Sequence, residues 1–194
     1  MLESLENDEN WSRYSFIGFD PVLKLRCKDY EAEAVSGSAA VKFTTADPLA
    51  KIKEILAEYK VPAIKNLPPF TGGFVGYFGY DFYQYCEPAI KFDKAKATDF
   101  ADFDLMLFDK LIAFDKLKQK IYIIVNVKTD NVEVNYARAE REINAIEAML
   151  NQPVEPKPFT RANLGAIKSN QSREFYNNSI ARCREYIKKA MLSR

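Results

Sequence analysis

The fold class turns on FDLMLFDKLIAFDKLKQKIYIIVNV, Phe103 to Val127. Residues 103–115 are apolar and rich in Phe, Leu and Ile, which predicts one long strand or two strand segments. Asp115 to Lys120, DKLKQK, is a polar turn, and Ile121 to Val127, IYIIVNV, returns as a second strand. An antiparallel hairpin is therefore expected here. Working outward, residues 133–150 recur at helical spacing, with Tyr136, Ile143, Ile146 and Leu150 on one side. Upstream, residues 13–27 read as two strands around a turn at Asp20-Pro21, and residues 30–44 continue a meander broken at Ser36–Ser38. Asp47-Pro48 then caps a helix that should run to about Lys60, with Leu49, Ile52, Ile55, Leu56 and Tyr59 as its core stripe. A short helix is expected over Tyr80–Glu87 and a last one over residues 172–189, with Phe175, Ile180, Cys183 and Ile187 as its apolar side. Helices flanking antiparallel strands predict an α+β fold with a largely antiparallel sheet.

The 194 residues suffice for one good-sized core, and 47% apolar with 28% charged residues predicts a globular protein. Net charge is +1, which gives no basic field to attract nucleic acid. No apolar run reaches spanning length, so a cytoplasmic protein without membrane contact is expected. The three cysteines, Cys27, Cys86 and Cys183, lie far apart and read as small buried thiols in a reducing compartment. The chain has no histidine, which removes the commonest general base and metal ligand. Chemistry in this chain would rest on carboxylates, Lys, Tyr or Cys.

Three clusters invite a functional reading. In PPFTGGFVGYFGYD, Pro68 to Asp81, the glycines Gly73, Gly76 and Gly79 are spaced GxxGxxG. A dinucleotide fingerprint needs GxGxxG between strand and helix, and a P-loop needs Gly-Lys followed by Ser or Thr. Neither is met. Strand formers sit between the glycines, so a strand closely approached by another backbone is expected. Asp99, Asp102, Asp104 and Asp109 could form an acid–base or metal group, but lack companions at ligand spacing. A solvated loop and strand edge is the simpler reading, and the lysines of 91–96 read as a solvated face. At the start of the chain, Glu3, Ser4 and Arg13 offer a carboxylate, a hydroxyl and a cation. Together they would suit a zwitterion, with its ammonium on the carboxylate and its carboxylate on the guanidinium. A capped turn before a strand would show the same residues.

MLESLE (Met1–Glu6), RYSFIG (Arg13–Gly18) and PPFTGGFVGYFGYD occur in this order. The hairpin over 105–127 and SREFYNNSIARCREYIKKA, Ser172–Ala190, follow them. This arrangement resembles the N-terminal region of anthranilate synthase component I, over nearly the whole chain. The resemblance implies a parent enzyme that converts chorismate and ammonia to anthranilate and pyruvate. It also implies a glutamine amidotransferase subunit as ammonia source, Mg2+ at the chorismate carboxylate, and feedback inhibition by tryptophan. The family's tryptophan-pocket segment falls on Leu2, Glu3 and Ser4, with Arg13 as a further basic position. The family's catalytic histidine, chorismate-gripping residues and Mg2+ glutamates belong to a second half that these residues do not include. The resemblance thus implies a component I N-terminal domain over 1–152, a Pro-rich linker over 153–170, and the first helix of the chorismate-binding half over 171–194. No catalytic residue and no metal ligand is assigned to this chain. By itself it is expected to be inactive and, with strand edges open, to form homo-oligomers. Two alternatives stay open. One is component I of aminodeoxychorismate synthase; the other is a stand-alone module that binds tryptophan or docks on a separate catalytic chain.

Overall fold

The computed structural model describes residues 1–3, 13–87, 89, 99–155, 165 and 168–189. The chain divides into two compact units, Met1–Gln152 and Pro153–Arg194. The first contains eight strands among its described residues: β1 (Tyr14–Gly18), β2 (Leu23–Lys28), β3 (Glu31–Ser36), β4 (Ala39–Thr44), β5 (Gly73–Phe78), β6 (Phe103–Phe108), β7 (Lys110–Asp115) and β8 (Lys120–Val125). Helix α1 (Pro48–Ala57) follows β4, a 3-10 turn (Tyr80–Phe82) and the short α2 (Tyr83–Cys86) follow β5, and α3 (Val132–Leu150) follows β8. The architecture is α+β with every strand pair antiparallel, as expected, but the strands form two sheets. A five-stranded sheet has the order β4-β3-β2-β6-β5 and a three-stranded sheet the order β1-β7-β8.

The segment 103–115 resolves the choice left open by its sequence. It is two strands, and they belong to different sheets: β6 pairs with β2 and β5, while β7 pairs with β1 and β8. Asp109 is the joint between them. Its carbonyl accepts hydrogen bonds from the Asn126 backbone N–H (2.7 Å) and from Asn126 Nδ2 (3.0 Å). Asn126 Nδ2 also donates to the Thr71 carbonyl (2.6 Å), so one side chain after β8 ties the approach to β5 to the crossing. The hairpin read from 103–127 is β7–β8. Strands β1 and β2, read as neighbours around Asp20-Pro21, do not pair with each other. Asp20 takes a positive φ of 48° and passes the chain from one sheet to the other.

The main core lies on one face of the five-stranded sheet. Leu25, Cys27, Ala32, Phe103 and Leu105 are buried there together with Ile52 of α1. Burying a side chain the size of Leu25 or Phe103 contributes about 1.5–3 kcal/mol. Helix α1 starts as read: Asp47 Oδ1 accepts from the Ala50 N–H (2.9 Å), with Pro48 in the first turn. It stops at Ala57, three residues short of the expectation, in two i to i−3 bonds at Glu58 and Tyr59. Pro62 follows closely, and the residue before a proline disfavours helical backbone.

The glycine stretch enters as β5. A Cβ at Gly76 would overlap the carbonyl oxygen of Asp104 on the neighbouring strand. This is the close backbone approach anticipated for a glycine inside a strand. Gly73 opens the strand at a φ of 131°, where an L side chain is strained.

Helix α3 packs against β8 with Ile143 and Ile146 on the inward side as read, but without Tyr136 and Leu150. Ala139 and Ile146 are buried, with Asn135, Glu142 and Ile143 half-buried on the same side, while Tyr136 and Leu150 are exposed. Tyr136 and Leu150 stand in the first and last turns of the helix, where their rings and chains reach past the packed middle. In the second unit, α4 (Arg173–Lys188) begins at Ser172, whose Oγ accepts from the Phe175 N–H (3.1 Å). Within its unit α4 has no buried residue, so Phe175, Ile180, Cys183 and Ile187 are exposed rather than core. Of the three cysteines only Cys27 is buried; Cys86 and Cys183 are exposed free thiols. Among the described residues no helix is long and apolar enough to cross a membrane.

Candidate ligand site on the three-stranded sheet

The first residues of the chain add to the small sheet. Leu2 forms an antiparallel bridge with Phe16 of β1, with the Leu2 N–H donating to the Phe16 carbonyl (2.8 Å) and the reverse bond at 2.9 Å. The bridge sets Glu3 beside Ser15, whose Oγ donates to Glu3 Oε1 (3.4 Å). Lys116, one residue past β7, reaches the same oxygen with its Nζ at 3.5 Å. The Lys116 backbone N–H donates to the Arg13 carbonyl (2.9 Å), so Glu3, Ser15, Lys116 and Arg13 share one end of the sheet.

The Arg13 guanidinium faces Asp115 at the end of β7. Its Nε donates to Oδ1 (2.9 Å) and one terminal nitrogen to Oδ2 (2.6 Å), a two-point grip of the kind that planar guanidinium suits. Asp115 has no exposed side-chain surface and also accepts from the Leu117 and Lys118 N–H groups. Chiefly through the Arg13 hydrogen bonds, and against the effect of burial, its carboxyl is held down at about 2. Arg13 in turn is raised above its ordinary value, first by the bond to Asp115. Of the four residues that the resemblance places in a tryptophan pocket, Leu2, Glu3 and Arg13 are thus brought to one sheet end, with Arg13 bound to an internal carboxylate. Ser4 lies outside the described residues. Lys116, Asp115 and Ser15 were not singled out from the sequence. The only local signal was the polar turn DKLKQK; the partners come from a strand pairing about a hundred residues away.

The aspartates have other roles. Asp102 is buried, not solvated as read. Its Oδ2 accepts from the Tyr85 hydroxyl (2.6 Å) and from the Asp29 N–H (2.8 Å). The Tyr85 oxygen accepts from the Tyr30 N–H (2.9 Å) and lies 3.6 Å from Cys27 Sγ. Asp29 and Tyr30 both hold positive φ, 49° and 70°, as a two-residue turn between β2 and β3 requires. The buried carboxylate and phenol thus fix a hairpin turn made without glycine. Desolvation, then the bond to Asp102, drives the Tyr85 hydroxyl far above its ordinary range, and burial pushes the Cys27 thiol up. Both stay protonated, which suits a structural role and not a nucleophile. Asp99 is exposed and Asp104 half-buried in mid-strand. Asp109 is half-buried at the sheet joint, its carboxyl raised by desolvation. Among the described residues no group of three or more Cys, Asp or Glu is placed to hold a metal ion. The lysines of 91–96 fall outside the described residues.

Family comparison supplies what the geometry alone does not. Residues 4–193 match the family of chorismate binding enzymes. The chain therefore belongs to the chorismate binding enzyme family. Its relatives there include anthranilate synthase component 1 of Pseudomonas aeruginosa, 34% identical over 96% of this chain and 39% of the relative. The same component of Acinetobacter calcoaceticus is 33% identical over 97% of this chain and 38% of the relative. The fold is that of anthranilate synthase component I from Streptococcus pneumoniae: the TM-score is 0.65 at 21% identity, over 98% of this chain and 40% of that one. The chain spans about two fifths of the length of the curated relatives it matches.

Proposed function

We propose that this chain supplies the effector-binding region of an anthranilate synthase component I. In that reading the whole enzyme converts chorismate and ammonia to anthranilate and pyruvate. A glutamine amidotransferase subunit delivers the ammonia, Mg2+ assists at the chorismate carboxylate, and tryptophan inhibits. The family match over residues 4–193 supports the parentage. The observation that carries the regulatory role is the Leu2–Phe16 bridge, which holds the Glu3 carboxylate at a sheet end next to a hydroxyl and a cation. Tryptophan there would place its ammonium on Glu3 and engage Ser4, with Arg13 shaping the site through Asp115. Inhibition is a coupling between effector and substrate sites, so it needs two arrangements of the whole enzyme that tryptophan distinguishes. A chain without histidine, spanning two fifths of its relatives, is proposed to form no anthranilate by itself.

Two measurements test this. Tryptophan titrated into the 194-residue chain and followed by NMR is expected to bind weakly, with Kd about 1 mM or above, because a polar site open to water gains little. Binding is expected to vanish in Ser4→Ala; an unchanged response in that variant defeats the assignment. Fluorescent anthranilate made from chorismate and ammonium salt by this chain alone would defeat the proposed division of labour. Among the described residues no strand pairs with the outer edges of β4, β5 and β8, which supports self-association through strand edges. A monomer by light scattering at high concentration counts against that.

A further inference from the structure

Lys116 lies where an incoming ammonium would have to go. Its Nζ is 3.5 Å from Glu3 Oε1, and its backbone is anchored on the Arg13 carbonyl at 2.9 Å. The contact is half open to water: Lys116 and Glu3 side chains are 35% and 40% exposed. Beside it, the strand register places Ser15, Phe114 and Ile121 directly across from one another, and Ile17, Ile112 and Ile123 two residues further on. Side chains two apart share a face of a sheet, so Glu3's hydroxyl partner Ser15 lies on the same face as these apolar residues. The opposite face carries the buried Leu111, Ala113 and Asp115. On the Ser15 face, Ile17, Phe114 and Ile121 are 44%, 40% and 55% exposed. A carboxylate at one end of an open apolar sheet face has the chemistry to take a primary amine joined to a bulky apolar body.

We propose that Lys116 is a built-in competitor for Glu3, so that an amino acid with a large apolar side chain binds by displacing the Lys116 ammonium and laying its side chain over Phe114 and Ile121. The inference rests on the effector-site reading given above and adds to it the residue that sets amine affinity and the face that receives the side chain. An exposed ion pair is worth between zero and about 1 kcal/mol, so removing Lys116 should tighten binding of the amine by no more than about fivefold. Removal also relieves like-charge repulsion toward the ligand ammonium.

The test uses the 194-residue chain with two probes, tryptophan and indole-3-propionate, which lacks the ammonium. Affinities are read from NMR shift titrations. In Lys116→Met, tryptophan should bind two- to fivefold tighter (about 0.4–1 kcal/mol). Binding of indole-3-propionate, an anion, should be unchanged or weaker. Phe114→Ala should weaken both probes. Glu3→Gln should weaken tryptophan and leave indole-3-propionate unharmed. If Glu3→Gln weakens tryptophan but Lys116→Met does not tighten it, the competitor role is overturned and the effector site stands. If Glu3→Gln has no effect, or no variant responds to tryptophan, the effector-site reading falls and the competitor role with it.

Discussion

In the five-stranded sheet, Leu25, Phe103 and Leu105 on the inner face are 1%, 1% and 4% exposed. Its outer face carries the cross-strand row Lys42, Glu33, Arg26 and Asp104, charges alternating in sign from strand to strand. The three-stranded sheet has a buried inner face too, but its outer face presents Ile17, Phe114 and Ile121 at 40–55% exposure, with Glu3 and Lys116 at one end. The larger sheet turns mostly charge to water, with Tyr77 exposed at the β5 end of the same row, and the smaller one turns mostly apolar surface to it. Alternating charge satisfies a solvated face without asking for a partner. Exposed branched and aromatic residues gathered on one face mark a surface for contact. The larger sheet thus serves as scaffold, and in the reading proposed above recognition belongs to the smaller.

The largest effect expected from this contrast comes from the same residue type on the two sheets. Phe103→Ala should cost about 3–5 kcal/mol, since it removes a ring from the packed face. Phe114→Ala on the open face should cost less than about 1 kcal/mol. Urea unfolding followed by circular dichroism measures both, and equal midpoint shifts for the two variants would erase the distinction between the sheets. Next, Gly76→Ala should destabilise by about 1–3 kcal/mol, because its Cβ would meet the Asp104 carbonyl rather than a side chain that could give way. A near-neutral result would mean that β5 and β6 can separate locally at no cost.

A pH dependence is expected at the joint of scaffold and site. Asp115 is held at about 2 in the folded chain, below the ordinary carboxylate value near 3.9 in the unfolded one. A depressed folded value means that its stabilisation is complete above about pH 4 and is lost as pH falls through about 2. In Arg13→Met the carboxylate stays buried without its guanidinium, so its value rises and the loss begins at higher pH. Acid unfolding monitored by fluorescence should then have its midpoint about one pH unit higher in the variant. Superimposable curves would show that the pair is energetically silent.

Much of this protein was legible in its sequence because the signals are local. The Asp47-Pro48 cap, the polar turn before Ile121, the meander over β2–β4 and the strand around Gly76 each depend on residues a few positions apart. Side-chain period and turn chemistry act over that range whatever the rest of the chain does. The family motifs at Met1–Glu6, Arg13–Gly18 and Pro68–Asp81 were likewise readable, and the match over residues 4–193 agrees with them. The unread features are all long-range. That 103–115 divides between two sheets at Asp109 depends on which strands lie beside each half. That α3 buries Ala139 and not Tyr136 depends on which turns of the helix are packed. That Asp102 is internal depends on Tyr85 and the Asp29 turn arriving at it. By itself, then, the sequence determined the elements, their α+β class and the kinship. Tertiary structure alone decided that Arg13 meets a buried Asp115 across 102 residues and that Lys116 stands on Glu3. The physical reason is that ion pairing and burial depend on spatial neighbours, and strand pairing chooses those neighbours without regard to their distance along the chain.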